Sequence, residues 1–267
     1  MKETETKVLN IEISHPQRII DRDIKKIDII KYYELIEPFI LPFLNNRPIS
    51  EIRCHNGLKD TFFKKHHNNS DELIYVKDKQ SLILECQNGT IEFHTYGYNK
   101  KSHKPDIMVF DLDPDDKLSL KKVRQGVLNL KIILDKLNLK SFLKTSGGKG
   151  YHVVIPFFKV INYKKFETFA KKVALLMEKT WPNLYTTNIK KDARNGKIFI
   201  DYLRNKKSAT CIAPYSLRAR EKLPISFPIA WEDLTKFSPN KVNIKNFKKY
   251  LYNNAWNEFF KVKQELI

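Results

Sequence analysis

The stretch Asp106-Ile107-Met108-Val109-Phe110-Asp111-Leu112-Asp113-Pro114 constrains this chain more than any other. Its apolar, β-favouring run, Ile107 to Phe110, carries two carboxylates to the end of a strand, and Pro114 stops it. Strand side chains alternate between faces, so Asp111 and Asp113 point to the same side if the strand persists to 113. Two carboxylates that close repel each other unless a cation lies between them, and oxygen ligands at a strand end suit Mg²⁺ or Mn²⁺. Asp-Pro-Asp-Asp is also good turn chemistry. These residues alone leave the metal site and the turn both open. A second apolar strand, Ile198-Phe199-Ile200-Asp201-Tyr202, also ends in an acid. Asp201 counts as a third carboxylate only in combination with Asp111 and Asp113.

Charge narrows the partner. Lys plus Arg number 49 against 30 acids, a net charge of +19, which implies a polyanion through steering and counterion release. Aromatic residues make up 12% of the chain and no basic amphipathic helix is evident, so nucleic acid is favoured over a membrane surface. No apolar run approaches the roughly 18 residues needed to cross a bilayer, and the N-terminal segment has no signal-peptide core. Cys54, Cys86 and Cys211 are odd in number and widely spaced, which argues for a reducing compartment and against a zinc knuckle. A cytoplasmic, nucleoid-associated protein is expected. No repeat or linker divides the 267 residues, so one domain over 1–267 is expected.

The pattern predicts a polar tail leading to a strand at Val8–Ile13, then a helix from about Ile24 to Leu44 that Pro38 and Pro42 should kink or end. Strands follow at Ile49–Cys54 and Thr90–His94, with a short helix at Ser81–Gln87 between them. Helices are predicted at Ser119–Leu137, with Ser119 as N-cap, at Tyr163–Glu178, and over 243–263. The segment Thr61-Phe62-Phe63-Lys64-Lys65-His66-His67 mixes aromatics with basic groups. Adjacent aromatics cannot both be buried on one face, so either Phe62 or Phe63 is free to stack on a base, or one simply packs loosely.

Ser146-Gly147-Gly148-Lys149-Gly150-Tyr151-His152 leads into the strand Val153–Pro156. Three glycines let the backbone curl around an anion, Lys149 adds charge, and Ser146 and His152 add directed hydrogen bonds. The Walker A spacing is absent. A plain hairpin turn is the alternative. Tyr215-Ser216-Leu217-Arg218-Ala219-Arg220 has the make-up of a phosphate clamp.

Four motifs occur in order: Phe110-Asp111-Leu112-Asp113-Pro114, Thr145–His152, Ile200-Asp201-Tyr202-Leu203-Arg204-Asn205 and Ala213–Arg220. Together they make the chain resemble the polymerase domain of bacterial and archaeal DNA ligase D, of the archaeo-eukaryotic primase superfamily. The resemblance extends to His15-Pro16, the Arg53-Cys54 strand and the Phe62-Phe63 pair, and so covers nearly the whole chain. It implies an α/β (α+β) fold with central, mostly antiparallel sheets flanked by helices. It further implies that Asp111, Asp113 and Asp201 are catalytic ligands for two divalent cations, Mn²⁺ or Mg²⁺. Ser146, Lys149, His152 and Arg218 would hold a nucleoside triphosphate, with His94 and Arg194 at further active-site positions. Phe62 and Phe63 would support a template strand, with Arg53 a further DNA contact. Arg18 and Lys26 best match the residues that recognise a downstream 5′-phosphate, although the register slips after Ile20 and some relatives carry Asn in place of His15.

The expected activity is template-directed nucleotidyl transfer at gaps and DNA breaks in non-homologous end joining. Ribonucleotides would be preferred, and Ku and an ATP-dependent ligase would be partners. A primase starting chains without a primer fits the same acids, and a non-catalytic DNA-end binding module or a basic RNA-binding domain fits the charge. The last two leave the three carboxylates without a reason to converge.

Overall fold

The structure, a computed structural model, describes residues 7–67, 70–160, 162–190, 192, 194–251 and 255–266. The polar tail read at Met1–Thr6 lies outside them. Short strands β1 (Lys7–Val8) and β2 (Ile11–Glu12), then β3 (Ile19–Asp21) and β4 (Ile24–Lys25), precede helix α1 (Lys26–Leu44). Strands β5 (Pro48–Cys54), β6 (Thr61–Lys64) and β7 (Ile74–Tyr75), helix α2 (Lys79–Gln87) and strand β8 (Thr90–Tyr96) follow. Next come β9 (Ile107–Pro114), α3 (Leu120–Lys136), β10 (Phe142–Thr145), β11 (Tyr151–Pro156), β12 (Lys159–Val160) and α4 (Tyr163–Thr180). The chain closes with β13 (Tyr185–Thr186), β14 (Ile198–Asp201), β15 (Thr210–Ile212), β16 (Pro228–Ile229) and β17 (Glu265–Leu266).

Two sheets organise the molecule. One has the order β13-β14-β9-β11-β10-β16, antiparallel throughout except for the parallel β13–β14 pair. The other runs β15-β8-β5-β6, with β7 also paired to β5, and is antiparallel. The α/β expectation with mostly antiparallel sheets holds. In β9 the residues Met108, Phe110 and Leu112 are fully buried, and Leu112 faces Gly126 of α3. The alternate residues Val109, Asp111 and Asp113 therefore turn to the other face. Helix α3 starts at the expected cap, where the Ser119 side chain accepts from the Lys122 amide, and buries Val123, Val127, Leu130 and Leu134 along one stripe. Among the described residues no helix is long and apolar enough to cross a membrane.

Three expectations change. The predicted Val8–Ile13 strand is instead the β1–β2 pair, because Leu9 and Asn10 take positive φ angles of 51° and 64° and reverse the chain. Helix α1 begins at Lys26 and runs through Pro38 and Pro42 to Leu44. Its face of Ile29, Ile30, Tyr33, Ile36, Ile40 and Leu44 is buried, and that packing outweighs the hydrogen bonds the prolines forfeit. Over 243–263 the described residues form short 3₁₀ turns at Phe247–Lys249 and Phe259–Lys261, not a helix. The aromatics there dock on separate targets: Phe247 lies 4.8 Å from the Tyr32 ring, and Phe259 lies 5.3 Å from Phe43 and 5.0 Å from Phe142. A straight helix would not bring its aromatics to such dispersed partners.

Candidate active site

A cleft of about 640 Å³ is lined by Asp111, Asp113 and His152 of the six-stranded sheet and by His94, Cys211 and Ile212 of the other. It therefore lies where the two sheets face each other. Strand β9 does persist past Asp113, so Asp111 and Asp113 share its cleft face as the spacing required. Asp201 pairs directly with Asp111 across β14–β9, and His152 pairs with Asp111 across β11–β9. Asn205 secures this junction. Its side-chain amide donates to the Val109 carbonyl at 2.8 Å, and its carbonyl accepts from the Val109 amide at 2.8 Å.

Every carboxylate already meets a cation of the chain. His152 Nε2 lies 3.4 Å from Asp111 Oδ1, and Arg194 Nη1 donates to Asp113 Oδ2 at 2.9 Å. Arg204 spans the other two, with Nε 3.1 Å from Asp201 Oδ2 and Nη2 3.7 Å from Asp111 Oδ2. Burial works to raise Asp111, but His152, then Arg204 and Lys144, outweigh it and hold its carboxyl below the usual range. Burial pushes Asp201 up, Arg204 opposes it, and the negative charge of Asp111 and Asp113 adds to the rise. Among the described residues no three His, Cys, Asp or Glu side chains close on one point as a metal cluster. The donor set of three carboxylates on one sheet nonetheless has the hard-oxygen chemistry of Mg²⁺ or Mn²⁺ sites, and the guanidinium across Asp111 and Asp201 marks where positive charge is held.

Beside them, between β10 and β11 of the same sheet, lies the glycine loop. Ser146 Oγ accepts from the amides of Gly148 and Gly150 at 3.1 and 3.2 Å, which curls the loop, and Gly147 takes a positive φ of 68°. Lys149 is exposed and paired with Asp116 at the cleft edge. Arg218 Nη1 donates to the Ser146 carbonyl at 3.3 Å, and its Nε lies 3.1 Å from Glu92 Oε2. The same Glu92 oxygen is 2.8 Å from His94 Nε2, while Oε1 accepts from the Ala219 amide at 2.7 Å. One buried acid thus seats His94 and Arg218 together. Burial works to raise Glu92, and His94 and Arg218 bring it down; burial lowers His94.

The cleft therefore gathers Asp111, Asp113, Ser146, Lys149, His152, Arg194, His94 and Arg218, with Asp201 beside it under Arg204. Arg204 and Glu92 went unassigned in the sequence. Arg204 stands three residues after Asp201, and the 3₁₀ turn Leu203–Asn205 folds it back over that carboxylate. Glu92 lies two residues before His94, a strand spacing that puts both on one face. That period was the available signal.

The remaining predicted contacts lie elsewhere. Arg18 and Lys26 line a separate pocket of about 290 Å³ with Ser14, His15, His55 and Gln87. Lys26 Nζ donates to the Ser14 carbonyl at 2.9 Å and to Gln87 Oε1 at 2.8 Å, and Arg18 Nη1 donates to the His55 carbonyl at 2.6 Å. Burial, then the charge of Arg18, lowers Lys26 to about 8. Phe62 and Phe63 are both surface residues on β6, 39% and 58% exposed, where one buried aromatic was the other reading. Arg53 joins neither pocket. Its guanidinium is buried between Glu51 Oε2 at 2.8 Å and Glu85 Oε2 at 2.5 Å, so its side chain is spent on an internal ion cluster rather than on an exposed contact.

Two largely antiparallel sheets thus face each other across a cleft lined by acids and bases. The chain belongs to the LigD primase-polymerase domain family, whose pattern, described as "LigD, primase-polymerase domain", matches residues 25–256. It is therefore a nucleotidyltransferase by class. The multifunctional non-homologous end joining protein LigD of Pseudomonas aeruginosa is 32% identical over 262 residues, covering 90% of this chain and 31% of that protein. The bifunctional non-homologous end joining protein LigD of Bacillus subtilis is 30% identical over 223 residues, covering 78% of this chain and 36% of that protein. The chain spans about a third of the length of these relatives. In fold it is similar to the polymerase domain of Mycobacterium tuberculosis ligase D in complex with DNA, with a TM-score of 0.83 over 95% of this chain and 98% of the other, at 24% identity.

Proposed function

We propose that the chain, as a single domain over 1–267, is a template-directed nucleotidyltransferase that fills short gaps and extends ends at DNA breaks in non-homologous end joining. The observation that carries this reading is the convergence on one cleft. Carboxylates Asp111 and Asp113, with Asp201 paired to Asp111, share the cleft with Ser146, Lys149, His152, Arg194 and Arg218. Such a site suits a triphosphate with its accompanying cations.

Asp111, Asp113 and Asp201 would hold two divalent cations, Mn²⁺ or Mg²⁺, which when bound supply activation of the primer 3′-hydroxyl and charge opposite the leaving pyrophosphate. The chain's own groups hold and orient the nucleotide. Ser146 Oγ holds the loop curled through the Gly148 and Gly150 amides, and Lys149 and Arg218 bring positive charge to the phosphates, Arg218 from a seat fixed by Glu92. Arg194 and Arg204, now on carboxylates, would exchange those partners for phosphate oxygens as cations enter. Phe62 and Phe63, exposed on β6, offer stacking surfaces to a template. The Arg18–Lys26 pocket would take the 5′-phosphate across the gap. Ribonucleotide preference, action in the cytoplasm at the nucleoid, and work beside Ku and an ATP-dependent ligase complete the proposal.

The test is extension of a labelled primer on a one- or two-nucleotide gap, with and without a downstream 5′-phosphate, with ribo- or deoxyribonucleotides and Mn²⁺. Addition should be template-directed, stronger with the phosphate, and lower by orders of magnitude in Asp111→Ala. Extension indifferent to the phosphate would point to a primase. Tight DNA binding with no extension would leave an end-binding module and defeat the proposal.

A further inference from the structure

Asp201, Asp111, His152 and Lys144 are successive cross-strand partners in β14, β9, β11 and β10. One row of side chains therefore crosses the sheet on its cleft-facing side. Asp111 and His152 line the cleft, but Lys144, only 1% exposed, lies behind it. A buried lysine needs partners for its hydrogens, and this one has three. Its Nζ donates to the Ile212 carbonyl at 3.1 Å and to Ser226 Oγ at 2.6 Å, and lies 2.9 Å from His152 Nδ1. Ser226 Oγ uses its own proton on the Thr145 carbonyl at 3.1 Å, so it can only accept from Lys144.

The Nζ–Nδ1 contact can hold one proton. With that proton on Lys144, the ammonium fills all three of its bonds and Nδ1 offers a lone pair. With the proton on Nδ1, the amine accepts and the ring is a cation. Both arrangements leave a hydrogen on Nε2. The remaining neutral tautomer, with Nδ1–H and a bare Nε2, would set a ring lone pair 3.4 Å from Asp111 Oδ1. It would also leave the Lys144–His152 pair without a positive charge next to that carboxylate. Cys211 Sγ, 3.4 Å from Nδ1, lies on the same side of the ring and does not touch Nε2. A carbonyl or carboxylate at Nδ1, the usual partner of a functional histidine, would draw the proton to Nδ1 and leave a neutral ring with an accepting Nε2. A donor at Nδ1 does the reverse.

We propose that Lys144 is a positioning residue that holds His152 as an Nε2–H donor towards the cleft, presenting that hydrogen to a phosphate oxygen of the incoming nucleotide. The identity of the acceptor rests on the polymerase reading; the state of the ring does not. Lys144→Met, similar in length and apolar, removes the donor and frees Nδ1 to take the proton.

The state of the ring can be read directly by long-range ¹⁵N–¹H spectra of histidine-labelled protein, with His152 identified by its loss in His152→Gln. In the wild type, Nε2 should carry hydrogen. In Lys144→Met a neutral Nδ1–H population should appear, and kcat for nucleotide addition should fall about 10-fold or more with DNA affinity unchanged. A wild-type spectrum with bare Nε2, or an unchanged tautomer in Lys144→Met, overturns the proposal. If circular dichroism shows that the variant does not fold, the wild-type spectrum decides alone. Wild-type protein with the expected ring and no nucleotide addition would refute the polymerase reading and leave the Lys144–His152 assignment intact.

Discussion

Lys26, which the proposed function sets against a 5′-phosphate, is a buried cation whose charge is tuned by its surroundings. Its three acceptors, the Ser14 carbonyl, Ser14 Oγ and Gln87 Oε1, hold the ammonium inside the small pocket, while burial and Arg18 lower it to about 8. Its charge is present below that pH and is lost above it. The preference for DNA carrying a downstream 5′-phosphate should therefore fade between pH 7 and pH 9, and Lys26→Arg should flatten the dependence because a guanidinium does not titrate there. Competition binding with phosphorylated and unphosphorylated gapped DNA reads this, and a pH-independent preference would remove Lys26 from the contact. Glu51 shows the opposite case. Burial, then the charge of Glu85, raises it to about 7 against the pull of Arg53. Between the ordinary carboxyl range and about pH 7 the folded protein keeps a proton that the unfolded chain has lost, so this group's contribution to stability falls as pH rises through that window. Glu51→Gln should gain stability relative to wild type on going from pH 5 to pH 8, by on the order of 2 kcal/mol, as measured by urea unfolding.

At the scale of elements, β9 depends on supports far away in sequence. Asn205 stands in for a strand by pairing both backbone groups of Val109. Asn205→Ala would leave both unsatisfied in the interior and should cost about 2–4 kcal/mol in urea unfolding. Gly150 is the second support. A Cβ there would sit 2.3 Å from the Leu112 carbonyl oxygen, so Gly150→Ala must push β11 from β9 and spread His152 from Asp111. It should lower nucleotide addition far more than it lowers DNA affinity, since the surface aromatics on β6 are untouched. Helix α3 was legible because a cap and an apolar stripe agree at Ser119 and beyond. The 243–263 segment was not, because its periodic aromatics answer to separate partners rather than to one groove.

For the whole molecule, a net charge of +19 sets long-range behaviour that no single contact explains. If binding neutralises about six phosphates, affinity for gapped DNA should drop about 10³-fold between 50 and 200 mM salt, and a flat dependence would count against a nucleic-acid substrate. The sequence by itself determined the alternation of β9 and the cap of α3, because strand period and capping are local properties of the chain, while the fold class and most of the groups that line the cleft were legible through four motifs whose order resembles a known family. It could not say that Arg204 returns over Asp201, that Glu92 seats two basic groups, that Arg53 is consumed by Glu51 and Glu85, or that Lys144 stands behind His152. The first depends on a 3₁₀ turn at Leu203–Asn205, and Glu92 with Arg218, Arg53 with Glu85, and Lys144 with His152 are brought together by strand register and by packing of elements distant in the chain. Register is set by how the whole core packs, so only the tertiary structure decides which charge meets which.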